Sequence, residues 1–271
     1  MRLSDAGELG LLRELERRGL AQGIGNDAAQ LNGDLVVTQD ALVEGVHFRL
    51  DWIAWRDLGF RAAAVNLSDL AASGAVPEAL VVTFAAPADA ELEHVVELYE
   101  GIAEAGVPVV GGDTTRAESL MLSITAIGRS ERVPGRAGAR PGDTVVVTGP
   151  LGAAGAAFRR STYLRPPIRL EEGRRLAATA HALMDVSDGL ALDAARMAER
   201  SGVRIEIDLD RVPLGEGAEL ADLGFGEDYE LLAAVPEGGG FHEIGRCVEG
   251  AGVALLHEGA RIELGGWQHF R

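Results

Sequence analysis

Two kinds of hydrophobic pattern take turns along this chain, and their alternation limits the possible folds more than any other feature. Short apolar runs read as strands: Leu35–Thr38, Leu80–Phe84, Val107–Val110, 119–128, Thr144–Thr148, 203–207 and 229–235. Between them lie stretches of helical spacing: 5–19, with Leu9, Leu12 and Leu15 near one face, the alanine-rich 54–75, then 89–105, 169–181 and 189–201. A period near two buries one face of a strand, and a period near 3.6 buries one stripe of a helix. Strands and helices that alternate in this way specify an α/β or α+β class. A Gly-, Pro- and Arg-rich stretch from Arg129 to Gly142 interrupts the alternation and is the candidate linker. At 271 residues the chain has room for about two domains. We place them at 1–132 and 133–271.

Composition removes several functions. The net charge of −17 makes nucleic acid a poor partner for the surface as a whole. The N-terminus is charged throughout, and no run approaches the roughly 18 apolar residues of a membrane span, so we expect a soluble, cytoplasmic protein with no membrane partner. Cys247 is the only cysteine, which excludes an intrachain disulfide and a cysteine-built zinc site and leaves a buried, inert thiol as the expectation. The chain contains no lysine, so all 25 basic residues are arginine. That removes the Walker A lysine, the protein-kinase strand lysine and the Schiff-base lysine. If polyphosphate binds here, arginine, metal ions and backbone amides must hold it.

The chemistry-bearing residues share a placement beside strands. Asp40 follows Leu35–Thr38, Asp113 follows Val107–Val110 through a double glycine, and Asp185 follows Ala182-Leu183-Met184. Asp27 sits in the turn Gly23–Asp27. In open α/β folds ligands gather beyond the carboxyl ends of strands. An aspartate in a turn is by itself only a turn former or cap. Several meeting in one cleft would repel unless cations lay between them, and hard oxygen ligands suit Mg²⁺. Asn66 and Asp69 are three apart in the alanine-rich helix, so they share a face, directed either to solvent or to a metal. Asp185-Val186-Ser187-Asp188-Gly189 places two acids and a serine at a strand-to-helix junction, which is a cap or an anion site. Gly226-Glu227-Asp228-Tyr229-Glu230 sets three acids around one tyrosine, a surface turn in the plain reading.

Taken in order, GIGNDAA, VTQDALVEGVHF, AVNLSDLAASGAVP, GGDTTR, DVSDGL and GEDYELL resemble the thiamine-monophosphate kinase family, part of the aminoimidazole-ribotide synthetase-like superfamily. The resemblance runs from about Gly23 to Trp267, and VEGVHF with the terminal WQHF points to the thiamine branch. It implies a two-domain α/β fold, an N-terminal domain whose sheet forms a homodimer and a C-terminal domain that completes the active site. It implies Mg²⁺, several ions, at Asp27, Thr38, Gln39, Asp40, Asp69, Asp113, Asp185 and Asp188. ATP, the co-substrate, would contact Tyr99, Gly112, Asp113, Arg136 and Ser187. Thiamine monophosphate would contact His47, Glu227 and Trp267. Two positions depart from the family pattern: Asn26 stands where an aspartate is usual, and Gln39 where a threonine or serine is usual. Each can still offer a carbonyl oxygen to a metal.

The implied reaction fits the residues. A phosphate monoester has a second pKa near 6, so the acceptor oxygen is largely ionised at pH 7 and no general base is needed. No nucleophile–histidine pair stands out, so the expectation is direct in-line transfer without a phosphoenzyme. Two other readings stay open: another ATP-dependent synthetase of the superfamily, and a nucleotide-binding protein without catalysis.

Overall fold

The computed structural model of the protein describes residues 2–237 and 239–268. His269 and Phe270 of the terminal WQHF motif lie outside them. The first half comprises α1 (Leu3–Arg17), β1 (Ala29–Gln30), β2 (Leu35–Val43), α2 (Trp55–Ala72), β3 (Val76–Ala86), α3 (Leu92–Glu104), β4 (Val109–Arg116) and β5 (Met121–Arg129). Its five strands pair in the order β1-β2-β5-β3-β4, antiparallel except for β3 with β4, so β4 forms an edge. The second half comprises β6 (Thr144–Val147), α4 (Ala153–Phe158), α5 (Leu170–Thr179), β7 (Ala182–Asp185), α6 (Leu190–Ser201), β8 (Arg204–Asp208), β9 (Leu231–Val235), β10 (His242–Val248), β11 (Gly252–His257) and β12 (Ala260–Ile262). Its seven strands pair in the order β12-β11-β8-β10-β6-β9-β7, with only β8 and β11 parallel.

The alanine-rich helix α2 explains how the two halves fit together. Leu58, Leu67 and Leu70 of α2 pack with Val36, Leu80, Val82, Leu122 and Ile124 of the first sheet. Burying each such side chain stabilises the fold by about 1.5–3 kcal/mol. On another side α2 meets α3 at backbone distance: a Cβ at Gly59 would lie 1.8 Å from the Leu98 carbonyl oxygen, so only glycine fits there. Ala71 and Ala72 at its far end join Val146, Leu176, Leu183, Leu231 and Ala233 of the second half. Small residues are what let a helix touch three neighbours at once. The separate core of the second half gathers Val145, Val147, Met184, Leu190, Met197, Ile205, Ile207 and Leu232.

Several boundaries differ from the sequence reading. β2 runs on to Val43 and β4 from Val109 to Arg116, so Asp40 and Asp113 lie within strands rather than after them. Pairing with β5 and β3 carries these strands through residues whose own propensity would end them. The helix expected at 5–19 is α1, broken at Gly7, where φ is 65°. α4 and β10–β12 were not foreseen. Cys247 is buried, and desolvation pushes its thiol up to about 12, in keeping with an inert core residue. Among the described residues no helix is long and apolar enough to cross a membrane.

Candidate active site

Three elements converge where the halves meet. The turn before β1 brings Asp27, α2 brings Asp69, and the end of β7 brings Asp185. One carboxylate oxygen from each lies within 4.8 Å of the others. Their side chains are little exposed: Asp185 is buried, and the Asp27 side chain is 2% exposed. Burial, with the charges of Asp40, Asp185 and Asp27 added, pushes the Asp69 carboxyl well above the usual range. Burial and the charge of Asp27 do the same to Asp185. Their surroundings thus disfavour the charged form of Asp69 and of Asp185. A cation between them reverses that preference, and an all-oxygen carboxylate set fits a hard divalent ion such as Mg²⁺.

Hydroxyls and amides fix the cluster. Thr38 on β2 donates to Asp69 Oδ2 at 2.5 Å, and Ser68 on α2 donates to Asp185 Oδ2 at 2.7 Å. The buried Asn66 amide donates to the Ala62 carbonyl, and its oxygen accepts from the Asp40 backbone N–H at 3.0 Å. The face shared by Asn66 and Asp69 therefore points inward. Arg136 ion-pairs with Asp27, donating from Nε at 3.0 Å, and its backbone N–H donates to Asn26 Oδ1 at 3.0 Å. Asn26 thus serves as a backbone anchor for the linker.

Around the cluster lies a cleft of about 720 Å³. Asp27, Thr38, Gln39, Asp40, His47, Asp69, Arg136, Asp185, Ser187, Asp188, Glu227 and Trp267 all line it, so twelve of the fifteen predicted residues come together. Within that group, Gln39 differs in its side-chain partner. Its amide donates to Ser123 Oγ at 2.8 Å on β5, and strand alternation sets it on the face opposite Thr38 and Asp40. Asp188 accepts from Arg196, which also bridges to the fully buried Asp193 at 2.9 Å. Burial pushes the Asp193 carboxyl up to about 7 even beside that guanidinium. Gly112, Asp113 and Tyr99 do not line the cleft. Gly112 and Asp113 are exposed on the edge strand β4, paired in register with Val82 and Thr83. Tyr99 on α3 packs beside Phe84, their ring centroids 6.5 Å apart.

A smaller pocket of about 110 Å³ shares His47, Ser187, Glu227 and Trp267 with the cleft and adds Arg61, Phe158, Tyr163 and Phe225. Its walls are aromatic: the Phe158 and Phe225 centroids are 4.8 Å apart, and those of Phe158 and Tyr163 6.4 Å apart. His47 Nδ1 accepts from the Val43 N–H at 3.1 Å, which leaves the ring proton on Nε2. Glu227 and Tyr229 have φ of 61° and 51°, the left-handed region where a side chain is strained. The Glu227 N–H bond to the Ser187 carbonyl at 2.8 Å helps hold that shape. Arg61, Tyr163, Arg196 and the α4 wall were missed from the sequence. The signal for Arg61 was present, as the lone charge inside the apolar stretch Leu58–Val65.

Residues 25–130 match the AIR synthase related protein N-terminal domain family, and residues 140–254 match its C-terminal domain family. The chain is 34% identical to a thiamine-monophosphate kinase of Aquifex aeolicus, with all of both chains covered. It is 38% identical to one from Rhodopirellula baltica over 80% of this chain and 76% of that one. A solved structure described as AaThiL complexed with AMPPCP and TMP superposes with a TM-score of 0.90 at 33% identity, covering 99% of each chain.

Proposed function

The chain belongs to the thiamine-monophosphate kinases of the AIR synthase related family, and on that premise we propose how its own residues phosphorylate thiamine monophosphate at the expense of ATP. The observation that carries the reading is the convergence of Asp27, Asp69 and Asp185 in a cleft that shares a wall with an aromatic pocket. The cleft suits a nucleotide polyphosphate beside a second phosphate group, and the pocket suits a flat, cationic ring system. The relative whose structure holds AMPPCP and TMP binds both kinds of ligand.

Mg²⁺ is the metal the donor set favours, and when bound it supplies the positive charge that lets two phosphates and several carboxylates share one space. Asp27, Asp69 and Asp185 would hold it, with Thr38, Asp40 and Asp188 as further ligands implied by the family; Asp113 would join from a second copy, and Gln39, whose amide is turned to Ser123, drops out of the set. Arg136 stays protonated: burial works against its charge, but the carboxylates of Asp27, Asp185 and Asp193 outweigh it. It is thus a permanent forked donor for nucleotide phosphate. Ser187, just before the twelve-residue helix α6, offers a phosphate contact where the helix amides point. His47 and Glu227 orient the acceptor, and the face of Trp267 attracts its cationic ring. The acceptor phosphate oxygen arrives ionised and attacks the γ-phosphorus of ATP in line; the bond to the β,γ-bridging oxygen breaks, ADP leaves with that electron pair, and no protein nucleophile takes part.

We read the chain as two domains, 1–132 and 133–271, and as a homodimer. Support for the pairing comes from β4: all eight of its residues are exposed, including Val109 and Val110, and an open edge is a template for a second copy. On this reading Gly112, Asp113 and Tyr99 act at the subunit interface. Use of ATP supports a cytoplasmic location. The direct test incubates the protein with Mg-ATP and thiamine monophosphate and follows thiamine diphosphate by thiochrome fluorescence. Conversion is expected, with free thiamine inert as acceptor. No product from thiamine monophosphate would end the proposal.

A further inference from the structure

Among the described residues Arg61 is the largest side chain that is almost wholly buried, at 2% exposure. A charged residue at that depth is uncommon and needs partners. Its partners come from three separate segments. NH1 donates to the His47 carbonyl oxygen at 3.0 Å, NH2 pairs with Glu227 Oε2, and the guanidinium lies 4.8 Å from the Tyr163 ring centroid. His47, Glu227 and Tyr163 all line the aromatic pocket, as Arg61 does. The acidic loop it grips is strained at Glu227 and at Tyr229. Such a conformation persists only where its surroundings over-determine it. A planar fork with five donors can fix several groups at set angles, which a lysine ammonium cannot.

We propose that Arg61 is the positioning residue for the phosphoryl acceptor: one buried guanidinium locks the His47 turn, the Glu227 carboxylate and the Tyr163 wall into a single binding geometry. It contacts no carboxylate of the Asp27–Asp69–Asp185 cluster, so its effect falls on the acceptor side and not on the nucleotide side. The inference rests on the reading of Glu227 and His47 as acceptor-binding residues.

The test varies thiamine monophosphate and ATP separately. Arg61→Lys keeps the charge and loses the fork. It is expected to raise KM for thiamine monophosphate about tenfold or more while KM for ATP stays within about twofold. Because a lone buried charge can prevent folding, Arg61→Gln/Glu227→Gln removes both charges together and is compared with Glu227→Gln alone. The double variant is expected to raise the acceptor KM beyond the single variant, again without moving KM for ATP. A merely structural Arg61 would lower Tm and move both Michaelis constants together, or neither. Either of those results, or a double variant whose acceptor KM equals that of Glu227→Gln, overturns the inference. Wild-type protein that is active while the variants show no split overturns Arg61 alone. Wild-type protein that phosphorylates no thiamine monophosphate overturns the functional reading with it.

Discussion

Asp69 and Asp113 are both aspartates of the first half, and both were expected at the metal site, yet the fold gives them opposite surroundings. Asp69 projects from α2 into the cleft between the halves, where Thr38, Asp27 and Asp185 crowd it and its carboxyl is pushed well above the usual range. Asp113 stands exposed in the middle of an edge strand. An acid in a matching motif is therefore not yet a ligand. What makes it one is the element that carries it and what that element packs against. One group is complete within a single chain, and the other gains a site only if a second chain supplies one.

The sharpest way to break this contrast is to neutralise each acid in turn. Asp69→Asn should lower turnover by about 10²–10³-fold or more. It should also raise the Tm of metal-free protein, because it removes a charge the cluster disfavours. A fall in that Tm would show the cluster is not electrostatically stressed. Asp113→Asn should lose activity to a similar degree with Tm unchanged. Mixing it with Asp69→Asn after dissociation and reassociation should restore activity, since one site of each mixed dimer then has both wild-type acids. Mixed dimers that stay inactive would place Asp113 with its own chain's cluster.

A smaller effect probes the cluster's edge. Arg136→Gln should raise KM for ATP about tenfold to a hundredfold, the worth of a charge-assisted hydrogen bond, and leave the acceptor KM near wild type. That split is the mirror image of the one expected at Arg61. The smallest effect concerns stability. Burial pushes Asp228 from an ordinary 3.8 up to about 7, although it accepts the Gly152 N–H. A carboxyl whose pKa is raised on folding favours the folded state when protonated. Its contribution is thus present at low pH and fades as pH rises through about 7. Asp228→Asn should flatten that part of the Tm–pH curve, and an unchanged slope would remove Asp228 as its source.

Much of the site was legible because it is local. Gly23–Asp27, Asp185–Gly189 and Gly226–Glu230 are short turns whose residue types already announce bends, caps and charge. Other parts were not. β10 reads His-Glu-Ile-Gly-Arg-Cys-Val, with too little alternation to name a strand, and it exists because β6 and β8 flank it. Gln39 follows Thr38 by one residue, and the strand's period of two turns its side chain away. Arg61, the lone charge in an apolar stretch, stands out in the sequence, but nothing near it names a partner. Only the arrival of Glu227, 166 positions later, shows what it is for.

The order of strand and helix patterns, the absence of lysine and the types of residue in each turn were settled by the sequence, since each depends on neighbours within a few positions. Which acids meet, which face an edge, and which cation is buried among them were decided by tertiary structure. Charges interact through space, and chain order alone does not say how far apart in space two carboxylates will lie.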